Sequence, residues 1–420
     1  MPEYYGTALQ RIRALLEPIG SERITIEQAL GRIPARDLVA PFAVPAFSIS
    51  TRDGYALRAA DTQGASATEI KSLQITGASF PDTDPSELPA LRPGTAMAIA
   101  TGAPLPSGAD TILVVEKAVE LETKLHITAP SLPGGGIRLP GDDIRDGSPL
   151  VTQGVPLTAS QLGLLSAAGL SHIEAYRIPT VAIISTGNEI LSDCDGGLGR
   201  KPPNNAIGLS AWCKRFGIKT KRWVATDDMD VLSNTIDEAL ADCDAIITIG
   251  GSGPGKRDLV FETLEKKEWE VLQEGVRLRP GWTTCFGLIG DKPIFLLPGP
   301  PAANETAFLM LALPGLLSLA GSLHPPFPLV PARLSRDLHR SSKQRRWTQV
   351  VRVQLSYGNI FLEATPLVGK RLQERVGRQL AFADANGILL LEEEENPPRQ
   401  GDVVNIIVLG NIWVSENVLD

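Results

Sequence analysis

Three uninterrupted apolar runs, each breaking into glycine or proline, constrain this chain more than any other feature. They are "TVAIIST" (180–186), "AIITIGG" (245–251) and "PIFLLPG" (293–299). A strand with one wet face alternates apolar and polar residues; a continuous run is what a strand covered on both faces of a parallel sheet requires. Helical patterns lie between and beside these runs: "NNAIGLSAWCKRFG" with an Asn cap and a Gly stop, "DMDVLSNTIDEALADC", "RDLVFETLEKK", and a closing "AANETAFLMLALPGLLSL". With "KTKRWVA" as a further strand, the alternation predicts a central doubly wound α/β domain over 179–324. Ligands of that architecture sit at the carboxyl ends of the strands.

The flanks read differently. Ala8, Ile12, Leu15, Leu16 and Ile19 recur at three- and four-residue steps, which predicts an amphipathic helix. "TIEQALG" reads as a short helix with Thr25 and Gln28 at capping-box spacing and Gly31 as its stop, and Thr158 and Gln161 repeat that spacing in "TASQLGLLSAAG". Between them the β-type runs "SLQITG", "TAMAIA", "TILVVE" and "KLHITA" alternate with Pro/Gly turns. The expected organisation is multidomain α/β plus β. Segments 1–47 and 148–178 form an elongated α+β linker and dimerisation region, and 48–147 a small β-rich domain. "GSLHPPFPLVP" is a linker, and 325–420 a C-terminal β domain.

Charge and composition narrow the function. A net charge of −8 argues against general nucleic-acid binding, while leaving room for a local basic pocket. No apolar run reads as a membrane span of about 18–20 residues, and the N-terminus shows no secretory pattern; the expected location is cytoplasmic. The four cysteines (Cys194, Cys213, Cys243, Cys285) are widely spaced and the four histidines scattered, so zinc or a His-based triad has little to build on.

Three strand ends enter polar, flexible sequence: Ser185-Thr186-Gly187-Asn188-Glu189, Gly250-Gly251-Ser252, and Pro298-Gly299-Pro300-Pro301. Glycine frees the backbone to approach a ligand, and successive N–H groups can cradle an anion. "GGSGPGKRD" (250–258) adds Lys256 and Arg257, but it does not match the P-loop, because Lys256 is followed by Arg257. Asp53-Gly54 in "SISTRDGYALRAAD" reads first as a hairpin turn and second as a site. "LPGDDIRDG" sets Asp142 and Asp143 between Arg138 and Arg145. Carboxylates gathered from separate loops suit Mg²⁺. A second basic cluster, Lys343, Arg345, Arg346, Lys370, Arg371, Arg375 and Arg378, reads as solvated surface unless it borders a cleft.

The ordered set "VPAFSISTRDGYALRAAD", "TGAPLPSGADTILVVE", "GDDIRDG", "PTVAIISTGNEI", "GGSGPGKRD" and "LPGPP" resembles the MoeA family, the molybdopterin molybdenumtransferases, with the gephyrin E domain as a eukaryotic relative. The resemblance implies an elongated four-domain subunit and a homodimer with its active site between subunits. It implies adenylyl-molybdopterin and molybdate as substrates, Mg²⁺ as the assisting metal, AMP as a product, and a molybdopterin adenylyltransferase as a partner. Carried over by motif, Asp53, Thr101, Asp143 and Glu189 become catalytic candidates. Asp53, Asp143 and Glu189 become the metal candidates. Ser185, Thr186, Gly187, Asp227, Asp228, Gly250, Gly251, Ser252, Lys256, Asp258, Arg279, Pro298, Gly299 and Pro301 become substrate-binding candidates.

Departures from the family pattern cluster on the expected rim. "GGVSVGDYD" is "GGSGPGKRD" here, which puts Lys256 where Asp is usual. "KPGKP" is Arg279-Pro280-Gly281-Trp282-Thr283, and the Asn of "LPGNP" is Pro300. Lys256 is read as supplying the charge that Trp282 does not. Two alternatives stand beside molybdenum insertion: a tungstate-preferring insertase, and a non-catalytic molybdopterin-binding scaffold.

Overall fold

The computed structural model describes residues 2–190, 201–251, 259–341, 344–358, 360–367 and 383–414. Its centre is a six-stranded sheet. The strands are β1 (Thr180–Thr186), β2 (Lys219–Ala225), β3 (Ala245–Ile249), β4 (Glu270–Glu274), β5 (Cys285–Ile289) and β6 (Lys292–Leu297). They lie in the order β2-β1-β3-β6-β5-β4. β2, β1, β3 and β6 are parallel; β5 runs antiparallel to both β6 and β4.

Both faces of β1, β3 and β6 are dry, which explains their apolar runs, while β2 at the sheet edge is exposed or half-buried along most of its length. Val181, Ile183 and Ile247 face a core shared with the helix Tyr5–Leu15 and the run Pro301–Leu319. Ala182, Ile184 and Ile246 face a second core built with the helices Met229–Asp242 and Leu259–Glu265. The run Pro301–Leu319 has 19 residues and a mean hydropathy of 1.3, so it meets the length of a membrane span that the sequence reading did not find; 78% of it is buried inside the fold. Its apolar character belongs to the core. Pro314 interrupts it, because proline has no N–H to offer Met310 O. The backbone relaxes into a π turn at Phe308–Ala312, and the Tyr5 hydroxyl donates to Met310 O at 3.4 Å. Burial and the nearby Glu392 carboxylate raise the Tyr5 phenol well above its usual range.

A second six-stranded sheet runs Thr111–Val114, Gly54–Leu57, Thr95–Ile99, Lys71–Ser79, Lys124–Ile127, Val119–Leu121 in spatial order. Ser21–Thr25 pairs antiparallel with His172–Tyr176, and Leu38–Val39 with Pro149–Val151, so the two separated N-terminal segments are stitched to each other. A seven-stranded C-terminal sheet is centred on Thr348–Tyr357, which pairs on one side with Leu362–Pro366 and on the other with Gly387–Leu391.

Several local expectations are corrected. The "TIEQALG" helix is one 3₁₀ turn, Ile26–Gln28, and Thr25 makes no side-chain cap bond. Leu15 is exposed; Ala8, Ile12 and Leu16 make the buried stripe. Asn204 is the first helical residue of Asn204–Arg215, not its cap. Part of the "linker" is a strand, Leu329–Leu334, paired with Val403–Val408 and Leu362–Pro366. Asp53-Gly54 is not a hairpin turn: Gly54 opens a strand held between two neighbours, and a Cβ there would lie 2.1 Å from Leu113 O.

Candidate functional site

The sheet order reverses at β1: its neighbours β2 and β3 are reached by crossovers to opposite sides. Such a switch point opens a crevice beyond the strand ends. Here the ends are tied together. Thr186 Oγ1 donates to Ile249 O at 3.1 Å, and Gly250 N–H to Leu297 O at 3.0 Å. Gly250 has φ +99°, and a Cβ there would sit 2.7 Å from Thr186 Oγ1, so glycine is required by both conformation and space. Gly187 N–H donates to Ala225 O, and Ser185 is buried. Asn188 N–H donates to Asp227 Oδ2 at 3.3 Å, and Asp227 N–H to Asn188 Oδ1 at 3.0 Å. Asp228 Oδ1 accepts from the N–H groups of Asp230 and Val231, both at 3.0 Å, and so caps Met229–Asp242.

Beyond these ends lies a cavity of about 280 Å³ lined by Gly251, Gly281, Trp282, Thr283, Pro298, Gly299, Pro300 and Ala303. Two asparagines hold its floor: Asn205 Nδ2 donates to Gly299 O at 2.8 Å, and buried Asn304 Nδ2 to Pro298 O at 3.0 Å. Pro301 starts the following helix, a position where its missing N–H is harmless. The 280–284 turn is pinned by Thr284 Oγ1 donating to Gly281 O at 2.7 Å and Val276 N–H donating to Trp282 O at 3.0 Å. Arg279 is drawn from the rim toward the C-terminal sheet. Leu278–Arg279 pairs with Thr348–Gln349, and the Arg279 guanidinium sits 4.6 Å from the Trp347 ring centre.

The structure therefore gathers Gly251, Pro298 and Gly299 around one cavity, with Thr186, Gly187 and Gly250 binding its rim. Ser252, Lys256 and Asp258 lie outside the described residues, as do Lys343, Lys370, Arg371, Arg375 and Arg378 of the second basic cluster. Thr283 and Pro300 stood on the expected rim without being named as substrate-binding candidates, and Ala303, Asn205 and Asn304 were missed. Nothing in their local sequence marks them; Asn205 and Asn304 reach the cavity by binding the Gly299 and Pro298 carbonyls that follow β6.

The carboxylates stand elsewhere. Asp53 Oδ1 accepts from Thr101 N–H at 2.7 Å, so the structure does bring this pair together. Asp143 accepts from Arg138 at 3.0 Å, and Asp142 Oδ2 from Leu139 N–H at 2.7 Å. Glu189 faces Lys201 at 3.9 Å. Among the described residues no three His, Cys, Asp or Glu side chains converge to hold a metal, so Asp53, Asp143 and Glu189 do not form a single-chain cage. Their hard oxygen chemistry still fits Mg²⁺, which is commonly held by one or two carboxylates with water and phosphate oxygens completing its shell.

Comparison with known proteins identifies the architecture. Residues 182–318 match the family described as "Probable molybdopterin binding domain", and residues 5–169 match "MoeA N-terminal region (domain I and II)". Fold and matches define a multidomain protein of molybdenum cofactor biosynthesis. The molybdopterin biosynthesis MoeA protein of Pyrococcus horikosii superposes with a TM-score of 0.85 at 31% identity, covering 98% of this chain and all of that one. Curated molybdopterin molybdenumtransferases of Staphylococcus epidermidis and Staphylococcus aureus (strain COL) are each 28% identical, over 96% and 98% of this chain and 94% and 97% of their own lengths. The chain belongs to the MoeA family.

Proposed function

We propose that this protein takes adenylylated molybdopterin and molybdate, inserts molybdenum into the dithiolene and releases AMP. The observation that carries the reading is the meeting of Gly251, Pro298–Pro300 and Gly281–Thr283 around one cavity at the switch point, in a chain whose full-length relatives carry the name molybdopterin molybdenumtransferase.

The chemistry asks little of the protein's own nucleophiles. Water attacks phosphorus, the bridging oxygen leaves with the other phosphate, and AMP departs. The substrate's two thiols bind molybdenum as one molybdate oxygen leaves as water with their protons. The three described cysteines, Cys213, Cys243 and Cys285, are all buried, in keeping with sulfur ligands supplied by the substrate. Asp53, Asp143 and Glu189 would be the carboxylates to hold Mg²⁺; when bound, it would supply Lewis acidity to phosphate oxygens. The Thr101 N–H fixes the Asp53 carboxylate in one orientation. The protein works as a cytoplasmic homodimer. Val39, Phe42, Phe47 and Leu139 support this, being exposed apolar residues on neighbouring segments joined by the Val44–Ile144 bridge.

AMP release from adenylyl-molybdopterin at limiting molybdate tests the reading. Wild type should release AMP in step with molybdate, and Asp53→Ala should bind substrate with little AMP release. Binding without release by the wild type would establish the scaffold alternative. A steeper response to tungstate would assign the other oxyanion.

A further inference from the structure

The cavity at the switch point is lined by glycine, proline, alanine, threonine and one large side chain, Trp282. Among the described residues no charged side chain lines it. Trp282 is 42% exposed. An exposed indole on a loose loop would call for no explanation, but this turn is not loose. Its backbone is fixed by the Val276 and Thr284 hydrogen bonds, and Gly281, at φ +117°, lies so close to the next helix that a Cβ would be 3.4 Å from Ala303 O. The ring is braced as well. Trp347 meets it edge to face at 6.3 Å and 76°, and Arg279 in turn packs on Trp347. The molecule thus holds an aromatic surface rigid at the mouth of an apolar cavity, where rotamer entropy has already been lost before any ligand arrives.

We propose that Trp282 is a stacking platform for a planar heteroaromatic ring of the substrate, either the pterin or the adenine. This rests on the functional reading above. The volume agrees with one ring system: about 280 Å³ lies at the lower edge of small-molecule pockets, too small for the whole adenylylated substrate. Trp282 offers a π surface at this rim, not a point charge. The rim then discriminates by ring shape at a place where charge would attract any oxyanion. Trp282 is a positioning and specificity residue; it does not touch the reacting phosphorus.

The test is calorimetric titration of the full chain with pterin-6-carboxylate and, separately, with AMP. Stacking on an aromatic side chain predicts that Trp282→Ala weakens one of the two probes about 5- to 150-fold. Trp282→Phe, which keeps a π face, should stay within about threefold of wild type. The same probe should quench wild-type fluorescence more than Trp282→Phe fluorescence, which isolates this indole from the other five tryptophans. The probe that loses affinity identifies the ring. A purely structural Trp282 predicts a lower melting temperature in Trp282→Ala with both affinities unchanged, and that result overturns the proposal. A wild-type chain that binds neither probe overturns the functional reading itself.

Discussion

Asp228→Ala separates a residue that builds the rim from one that touches substrate. Family resemblance places Asp227 and Asp228 among the substrate-binding candidates, yet Asp228 Oδ1 is already engaged by two backbone N–H groups at 3.0 Å. Removing an N-cap acceptor costs about 1 kcal/mol, within a range of roughly 0.5–2. Loss of a carboxylate from a helix N-terminus adds about 0.3–1 kcal/mol. The expected total is about 1–2 kcal/mol for Asp228→Ala. It should be under about 1 kcal/mol for Asp228→Asn, which keeps the acceptor and loses only the charge. Several sheets share this chain, so a global unfolding curve would blur the effect. Amide hydrogen exchange over 229–242, read by mass spectrometry, localises it. Opening should be about 5- to 30-fold faster in Asp228→Ala, with a far smaller change in Asp228→Asn. KM for adenylyl-molybdopterin should stay within about twofold in both. If both variants raised KM tenfold and left exchange unchanged, the carboxylate would belong to the ligand and the capping argument would fail.

Gly54→Ala should destabilise by about 3 kcal/mol, because the new Cβ meets backbone Leu113 O at 2.1 Å between two paired strands. Gly134→Ala, also at positive φ but with open space around it, should lose only about 1 kcal/mol, and melting curves of the two variants check the contrast. Burial pushes the Cys213 thiol up to about 12. Its folded pKa exceeds its ordinary one, so the unfolded chain loses this proton first. Stability from this group is complete below about pH 9 and is lost as pH rises toward about 12. The stability–pH slope above pH 9 should therefore be shallower in Cys213→Ala, measured by urea titration. If the protein is the homodimer proposed above, Phe47→Asp should convert it to a single chain in sedimentation velocity; an unchanged dimer would place the interface elsewhere.

The parallel part of the central sheet was legible because its physics is local. A strand buried on both faces must be apolar along most of its length, and β1, β3 and β6 are, with Ser185 and Thr248 as their buried polar exceptions. The capping box at Thr158 and Gln161 was legible for the same reason, since both partners lie within one turn. The "TIEQALG" reading failed because spacing alone does not make a cap: Thr25 has the right neighbour at the right distance, but the chain leaves the helix after three residues to follow the sheet. Leu329–Leu334 failed because Pro331 reads as a strand breaker. Its missing N–H does no harm in this strand, whose pairing with Val403–Val408 continues through it.

The least legible element is the one that completes the site. β4 and β5 leave the strand–helix alternation: no helix intervenes, and their apolar character is patchy, with Val271 exposed and Gly287 where a side chain would strike Trp269 Nε1 at 2.1 Å. Yet the turn between them is what carries Gly281, Trp282 and Thr283 to the cavity. A sheet of four parallel strands would end at β6 with an open edge. The antiparallel pair closes that edge, and its connection has to pass the carboxyl end of β6 to do so. The same connection pairs with Thr348–Gln349 of the C-terminal sheet. The turn is thus fixed by two sheets at once, which is why an aromatic residue can stand exposed there without collapsing onto the fold. Family resemblance sets residues 279–283 on this rim, but periodicity and composition do not, because the forces that place the segment act between elements far apart in the chain.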